Sequence, residues 1–579
     1  MGRAGVTGQQ APRARAIRRT LAAIAICGAV TGLFACYLRV SATFAAGSDG
    51  ASNALEAWDL LHGNWLLHGW TLTDVSFYTT ELPEYALVEL ARGLGPDAVH
   101  ISAAITYTLL VLAAAALARG RARGGEGWAR ALIAAGIMLA PQLGNGIHVL
   151  LSQPDHVGTQ VPVLVIFLLV DRAPRRWYTV AAIWVLLTLT VVADKIAIVD
   201  AAVPLALVGL VYAIWASAKR RGGRAELGPD ASGRSPRPRV RAAADALRGQ
   251  SFELAVVLAV VCAVGAAELI TIGIRHLGGF ALMPVQTGIV TPGRIPGHLS
   301  MTLQDALNLF GADVGAAQPG PQTVFAWLHA PGIALAAAAL VLALWRIRSR
   351  EDLITSVLAV GLVVTLADFV ASTIPATPFD AREMAAALPY GAVLAGRVFG
   401  PWLTSSPRHA SPGWRSRLNP AVAVLALAGC CQLAALGYAA TRPPAVGPEQ
   451  PLAGWLAAHH LTTGLGTYSE DNVTTLDSDG TVRMLTVAWR TPAEGGTVPR
   501  LYQSSAAWYD PRTADASFVV TGTADGTADL IPRAEILELA GPPARTYHFE
   551  SFTIMVWNKN LLTLLAAPPT VLPGNIGHP

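Results

Sequence analysis

Charge is what this chain has least of. Asp, Glu, Lys and Arg make up 14% of its 579 residues, where an ordinary soluble protein carries about a quarter, and that shortfall excludes a soluble globular body of this length. Cysteine is nearly as scarce. Cys27, Cys36, Cys262, Cys430 and Cys431 all fall inside apolar runs, so none is available for an external disulfide or a cysteine-based zinc site. There is no glycine-rich strand–loop–helix unit to cradle a nucleotide phosphate. Neither a G-x-S-x-G elbow nor an H-E-x-x-H helix is present, which removes two common hydrolase chemistries. The net charge of +4 argues for no nucleic-acid partner, because the excess arginines sit in alternate loops and serve topology.

What the chain has instead is hydrophobicity: 53% of its residues, gathered into recurring apolar runs of about 20, each enough to cross roughly 30 Å of hydrocarbon. The runs lie near 18–40, 97–118, 129–151, 159–171, 177–193, 196–216, 252–274, 330–347, 353–374, 382–399 and 420–440. The first lacks a small-residue cleavage site and reads as a retained span. Every second connection is basic: the N-terminus with Arg13, Arg15, Arg18 and Arg19, then "RGRARGGEGWAR", "DRAPRRW", "KRRGGRAELGPDASGRSPRPRVR", "WRIRSRED" and "SSPRHASPGWRSR". Basic loops stay on the cytoplasmic side. The sequence therefore predicts a polytopic α-helical protein of the plasma membrane, with about 11 transmembrane helices, N-terminus inside and C-terminus outside. Residues 1–17 are a basic cytoplasmic N-terminus, 18–440 the membrane domain and 441–579 an external domain of α/β or α+β class. From Thr441 onward eight Lys and Arg face thirteen Asp and Glu, so this tail is acidic.

The external loops are 42–96, 152–158 and 275–329, and 217–250 reads as a flexible Arg-, Gly- and Pro-rich cytoplasmic linker. In the first loop Ala54, Leu55, Trp58, Leu61 and Trp65 recur at helical spacing, which suits a helix lying in the membrane interface. "PEYALVELARGL" predicts a second short helix. In the tail, "LAGWLAAHHL" predicts a helix, and "VRMLTVAW", "ASFVVTG", "TYHFESFTIMVW" and "NLLTLL" predict strands. Asp479, in "SDG" between two of these segments, reads as a hairpin-turn residue.

Ionisable residues near spans are costly and therefore informative. Asp194, Lys195, Asp200, Glu268, Asp368, Arg382 and Glu383 all fall on the external side, which describes a cavity opening outward at headgroup depth. Asp49 follows the first span, and "LGNGIHVLLSQPDHVGTQ" adds His148, Asp155 and His156 on a separate outer loop. Two carboxylates on two short loops can converge on one substrate, one taking a proton and the other orienting or holding a metal. Cheaper explanations remain open at this stage: a turn or helix cap for Asp49, a turn after Pro154 for Asp155, and a simple ion pair for Asp194 and Lys195.

These features resemble the GT-C superfamily of membrane glycosyltransferases: an acid after the first span in "GSDGASNALEAWDLLHGNWLLHGW", a second in "QPDHVGT", and a soluble external domain after the last span. "SFYTTELPEY" and "DAREMAAALPYGAVLAGR" are similar to segments of actinobacterial members. The resemblance implies a polyprenyl-phosphate-linked sugar as donor, a glycan, lipid or protein as acceptor, and membrane lipid as surroundings. It implies an inverting transfer in envelope glycan or glycoprotein assembly. Asp49 and Asp155 would be the catalytic pair, with Asp49 as base. His148, His156, Tyr78, Glu81, Lys195 and Arg382 would bind substrate, with Lys195 or Arg382 facing the departing phosphate. No cofactor is certain; a divalent cation such as Mg or Mn would fall to Asp49, Asp155 and His156. The chain departs from many relatives in having Gly50 where a second acid follows the first. A transporter or flippase for lipid-linked glycans, and a non-catalytic envelope-assembly scaffold, stay open as alternatives.

Overall fold

Apolar segments in lipid satisfy their backbone groups internally, so they become helices. The computed structural model of the chain describes residues 10–225, 237–284, 288–347, 352–375, 377–404, 420–489, 496–522 and 533–566. Parts of the linker (226–236) and of two basic loops (348–351 and 405–419), together with residues 1–9, lie outside the described residues.

Helix α1 (Gln10–Ser41) enters the bundle and is followed outside it by α2 (Ser48–Leu61), the short strand β1 (Trp70–Leu72) and α3 (Glu81–Arg92). The chain then runs through α4 (Pro96–Arg119), α5 (Gly124–Met138), the short α6 (Asn145–Leu151), α7 (Gln160–Arg172) and α8 (Trp177–Ala193). A π-helical turn, Ile198–Ala202, leads into α9 (Val203–Ala225), and α10 (Arg237–His276) follows. Strand β2 (Ala281–Leu282) and α11 (Ile295–Leu309) form the next outer segment before α12 (Pro321–Arg346) and α13 (Leu353–Ala371). A 3₁₀ turn, Pro378–Met384, precedes α14 (Ala387–Thr404), and α15 (Pro420–Ala440) closes the bundle.

Among the described residues seven helices are long and apolar enough to cross a membrane: Thr20–Ser41, Pro96–Arg119, Ile198–Trp215, Phe252–His276, Pro321–Arg346, Leu353–Ala371 and Ala423–Ala440. The remaining predicted spans behave differently. The run 129–151 is broken into α5 and α6, at Pro141 and at Gly144, whose φ of 88° suits glycine. Helices α7 and α8 are 13 and 17 residues long. Helix α14 starts later than the predicted run and is buried at nearly every position from Ala387 to Gly400. It is an internal helix wrapped by others. Its Gly396 and Gly400 allow this, because a Cβ at either would lie 2.4 Å from Arg130 of α5.

The C-terminal region contains α16 (Glu449–Ala458), β3 (Thr463–Gly466), α17 (Tyr468–Asp477), β4 (Arg483–Ala488), β5 (Val498–Pro499), β6 (Ser504–Ser505), β7 (Phe518–Thr521), α18 (Arg533–Ala540), β8 (Arg545–Phe549) and β9 (Phe552–Val556). Six strands form a mixed sheet in the order β5-β4-β3-β7-β9-β8, with β3 parallel to both β4 and β7. Apolar clusters cover both faces, one around Leu465, Val519 and Met555, the other around Leu452, Phe518 and Ile554. "NLLTLL" is a 3₁₀ turn, Leu561–Leu564, and not a strand. Asp479 sits in the turn from α17 to β4, with φ 52°, rather than in a hairpin.

A second sheet ties this region to the membrane part. Strand β1 of the first outer loop pairs with β2 in parallel and with β6 antiparallel. Helix α2 is not an interfacial helix with one face in lipid: residues Gly50 to Ala57 are all buried. Its apolar face joins Leu82 and Tyr85 of α3, Val99 in the first turn of α4, and Val473 and Leu476 of α17 in one cluster. The first outer loop is therefore the floor on which the C-terminal region rests.

Candidate active site

Asp49 lies in the first turn of α2, where a carboxylate gains from the helix dipole. It does not cap the helix. The N-cap is Gly47, which makes no side-chain cap hydrogen bond. The carboxylate instead reaches across the fold: Arg382 Nη1 donates to its Oδ2 at 2.8 Å, and the Tyr468 hydroxyl donates to its Oδ1 at 2.6 Å. Each side chain of the ion pair keeps 21% of its surface exposed, so a ligand can reach it. Gly50 follows from close packing. A Cβ there would fall 2.9 Å from Val99 Cγ1 and 3.0 Å from Gln153 Oε1, whereas its bare N–H donates to that same Gln153 oxygen at 3.1 Å.

Gln153 connects the two acids. Its Nε2 donates to Asp155 Oδ2 at 2.9 Å, and Asn53 Nδ2, one turn along α2 from Asp49, donates to Asp155 Oδ1 at 2.7 Å. The next residue, His156, holds a left-handed φ of 55°, a conformation that costs a non-glycine residue free energy and that its partners must maintain. Its Nδ1 lies 2.8 Å from Asp194 Oδ2 and its Nε2 lies 3.1 Å from Glu383 Oε1. Thr159 also donates to Asp194, at 2.8 Å. Arg382 Nε stands 4.0 Å from Glu383, and the guanidinium lies 4.2 Å from the centre of the Phe379 ring. The result is a row of alternating charge: Asp49, Arg382, Glu383, His156, Asp194.

The environments push the acids apart. Burial raises Asp49, but the Arg382 charge and the Tyr468 hydrogen bond outweigh it and hold the carboxyl below its ordinary value. Asp155 is pushed up to about 7, by burial and then by the negative charge of Asp49. Burial would lower His156, yet Glu383 and Asp194 raise it well above an ordinary imidazole, so it is an imidazolium that donates from both nitrogens. Burial raises Glu56 strongly, with Asp155 and Asp49 adding to it.

Glu81 is pushed up to about 8, mainly by burial. The folded carboxyl then keeps its proton through a pH range in which the unfolded one, near 4.5, has lost it. The folded state binds the extra proton, so stability is fully present below the unfolded value and is lost as pH rises through about 8. The melting temperature of the solubilised protein should fall from pH 6 to pH 9, and Glu81→Gln should make that fall shallower by roughly 2 °C. An unchanged slope in the variant would show that Glu81 is not protonated in the fold.

The other residues singled out in the sequence are placed as follows. His148 is stacked between Phe44, at 5.0 Å, and Phe379, at 4.4 Å, beside the Arg382 guanidinium. Glu81 is buried and accepts from Thr159 at 3.4 Å, one hydrogen bond away from Asp194. Tyr78 donates to the Trp65 carbonyl at 2.5 Å and packs on Phe280, so it braces the outer loop. Lys195 pairs with Glu268 at 3.2 Å and with no member of the charge row. Asp49, Asp155 and His156 do not converge on a common point as a metal set. Both oxygens of each Asp and both nitrogens of His156 are engaged elsewhere, and no acid, His or Cys group able to hold a metal occurs among the described residues.

Sequence reasoning missed Tyr468, Asn53 and Gln153. Tyr468 packs 5.0 Å from Tyr502, also hydrogen bonds Gln503, and lies under the Arg500 guanidinium at 5.4 Å.

No family model matches the chain, and no curated protein matches it in sequence. Its fold is that of ArnT from Cupriavidus metallidurans in the apo state, with a TM-score of 0.50 at 11% identity, covering 94% of this chain and 99% of that one. The same protein bound to undecaprenyl phosphate aligns with a TM-score of 0.46 at 12% identity over the same shares. The apo oligosaccharyltransferase of Archaeoglobus fulgidus aligns with a TM-score of 0.45 at 11% identity, over 85% of this chain and 69% of that one.

Proposed function

We propose that the chain is a membrane glycosyltransferase of GT-C type, moving a sugar from a polyprenyl-phosphate donor to an acceptor hydroxyl or amide outside the cytoplasm. The observation that carries this reading is Asp49. It is a carboxylate in a helix's first turn that does not cap the helix and is held instead, partly exposed, by an arginine and a tyrosine from two distant parts of the chain. The lipid class is the one bound by ArnT, and it enters here as part of the proposal. The eleven-span arrangement with the N-terminus inside also belongs to it, and puts the site and residues 441–579 on the external face.

In the reaction we envisage, the acceptor oxygen attacks the anomeric carbon as the bond from that carbon to the phosphate oxygen breaks. The acceptor's proton passes to Asp49, and the polyprenyl phosphate leaves as an anion. Attack opposite the leaving group inverts the anomeric configuration. Arg382 is the nearest cation to receive the phosphate. With Arg382 turned toward the donor, Asp49 loses the charge that lowers its basicity, so donor binding itself prepares the base. Asp155, buried and tied to α2 through Asn53 and Gln153, is a positioning residue that fixes the loop carrying His156 against the helix of Asp49. The residues present do not form a metal site, and no step here runs through one.

The test is a panel of labelled, short-chain polyprenyl-phosphate sugars supplied to sealed right-side-out vesicles containing the protein. One donor should lose its label to an acceptor in an Asp49-dependent way. Transfer only in inverted vesicles would reverse the orientation, and no transfer from any donor would remove the enzyme reading.

A further inference from the structure

The C-terminal region brings a cation of its own to the candidate active site. Arg500 follows strand β5, and its backbone is fixed against β4, with its N–H donating to the Thr486 carbonyl at 3.0 Å. Its guanidinium lies 5.4 Å from the centre of the Tyr468 ring and 5.8 Å from that of Tyr502. The two rings meet edge to face at 5.0 Å. Tyr468 is the residue that donates to Asp49, so a single side chain links this guanidinium to the base. Burial raises the Tyr502 hydroxyl above its ordinary value. The charge of Asp49 adds to that and Arg382 opposes it, which sets Tyr502 beside the same ion pair.

Arg382 has Asp49 as its partner, at 2.8 Å. Arg500 has none: among the described residues no carboxylate lies within ion-pair distance of it, and its Nε is buried without a hydrogen-bond partner. Asp471 feels its charge, but burial and then Glu470 push that carboxyl well above its ordinary value, and it keeps its proton. Cation–π contact draws the charge to the rings but supplies no hydrogen-bond acceptor. A buried donor left unpaired costs free energy that a ligand's oxygen would recover. The two aromatic faces also hold the planar fork in one orientation, so little freedom is lost when it binds.

We propose that Arg500, Tyr468 and Tyr502 form the acceptor subsite, and that the acceptor is an acidic glycan with a carboxylate or phosphate beside the hydroxyl that receives the sugar. The guanidinium takes the anion as a bidentate pair. The half-buried tyrosines present ring faces to a sugar and hydroxyls to its oxygens, an amphipathic surface suited to a hydroxyl-rich ligand. Donor and acceptor then approach Asp49 from two parts of the chain. Arg382, from the turn before α14, contacts Oδ2, and Tyr468, from the C-terminal region, contacts Oδ1. An acceptor hydroxyl that takes the place of the Tyr468 hydroxyl reaches the base directly. The name acceptor rests on the sugar-transfer reading; the binding of an acidic glycan does not.

The experiment measures binding to the full chain in phosphatidylcholine nanodiscs, with no donor present. The probes are trisaccharides ending in galacturonic acid, glucuronic acid or mannose 6-phosphate, each beside its neutral counterpart. At least one anionic probe should bind the wild type about tenfold or more tightly than its counterpart, the change expected from a hydrogen bond to a charged group. Arg500→Gln should remove that preference with an unchanged melting curve and unchanged affinity for the neutral sugar. Arg500→Lys, which keeps the charge without the fork, should retain part of it. Arg512→Gln, an exposed arginine of the same region paired with Asp510, should retain all of it. Preference for the uronic acids or for the phosphate sugar supports the site either way and identifies its anion. Equal affinity for anionic and neutral probes, an undiminished preference in Arg500→Gln, or an equal loss in Arg512→Gln overturns the proposal. Failure of sugar transfer from every donor is a separate result: it would remove the acceptor role and leave the binding preference in place.

Discussion

Asp49→Asn should give a folded, membrane-inserted protein whose sugar transfer is reduced at least about a hundredfold, since general bases typically contribute 10²–10⁴-fold. The substitution is nearly isosteric. Asparagine's carbonyl can still accept from Tyr468, and no helix cap is lost because Asp49 makes none. What disappears is the negative charge opposite Arg382. A partly exposed ion pair of this kind is worth about 1 kcal/mol or less, so expression and melting temperature should change little. The matched control is Asp479→Asn. Asp479 occupies a left-handed turn position with φ 52°, which asparagine adopts as readily, and transfer should be unaffected. Wild-type rates in Asp49→Asn would reduce the acid to architecture.

Arg382→Gln should be comparably severe, about 10²–10³-fold in rate, the usual loss when a donor that stabilises a developing oxyanion is removed. It also has a signature that a purely structural arginine would lack. Arg382 is what lowers the Asp49 carboxyl against its burial. In the variant that carboxyl should titrate at higher pH, and the acid limb of the pH–rate profile should move upward with it. Arg382→Lys restores charge without the fork geometry, so it should recover part of the rate and return the acid limb toward its original position. A rate loss with an unmoved acid limb would mean that Arg382 supports the fold and does not tune the base.

The sequence pattern carried the helical order well, because lipid leaves few alternatives to a helix. It failed where burial comes from neighbours. Helix α14 has the composition of an ordinary span, but its glycines, Pro389 and Arg397 belong to a helix buried at nearly every position from Ala387 to Gly400. Helix α2 has the spacing of a membrane-surface helix, and amphipathicity alone does not say whether lipid or protein covers the apolar face. Here α3 and α17 cover it. The tail segment Leu561–Leu564 has strand-like composition, but the Asn560 side chain accepts from the Leu562 N–H and starts a 3₁₀ turn there.

The candidate site shows the same division. Asp49, Asp155, His156 and Arg382 were visible because charge near a membrane is conspicuous. That Arg382, and not Lys195, belongs to the row was not visible, since both lie at helix ends on one side. Glu268 pairs with Lys195 from α10, a contact set by packing. Tyr468 left no local signal. Its contact with Asp49 joins residues 419 positions apart, and only the pairing of β6 with β1 and the seating of α17 on α2 bring it there.

The most direct test is release of free polyprenyl phosphate by the purified full-length protein in lipid, with donor and acceptor present, for wild type and Asp49→Asn side by side. The account predicts release by the wild type in step with sugar transfer, and release slowed at least about a hundredfold in the variant. Equal release by the two proteins, or transfer of sugar with no polyprenyl phosphate set free, would contradict it.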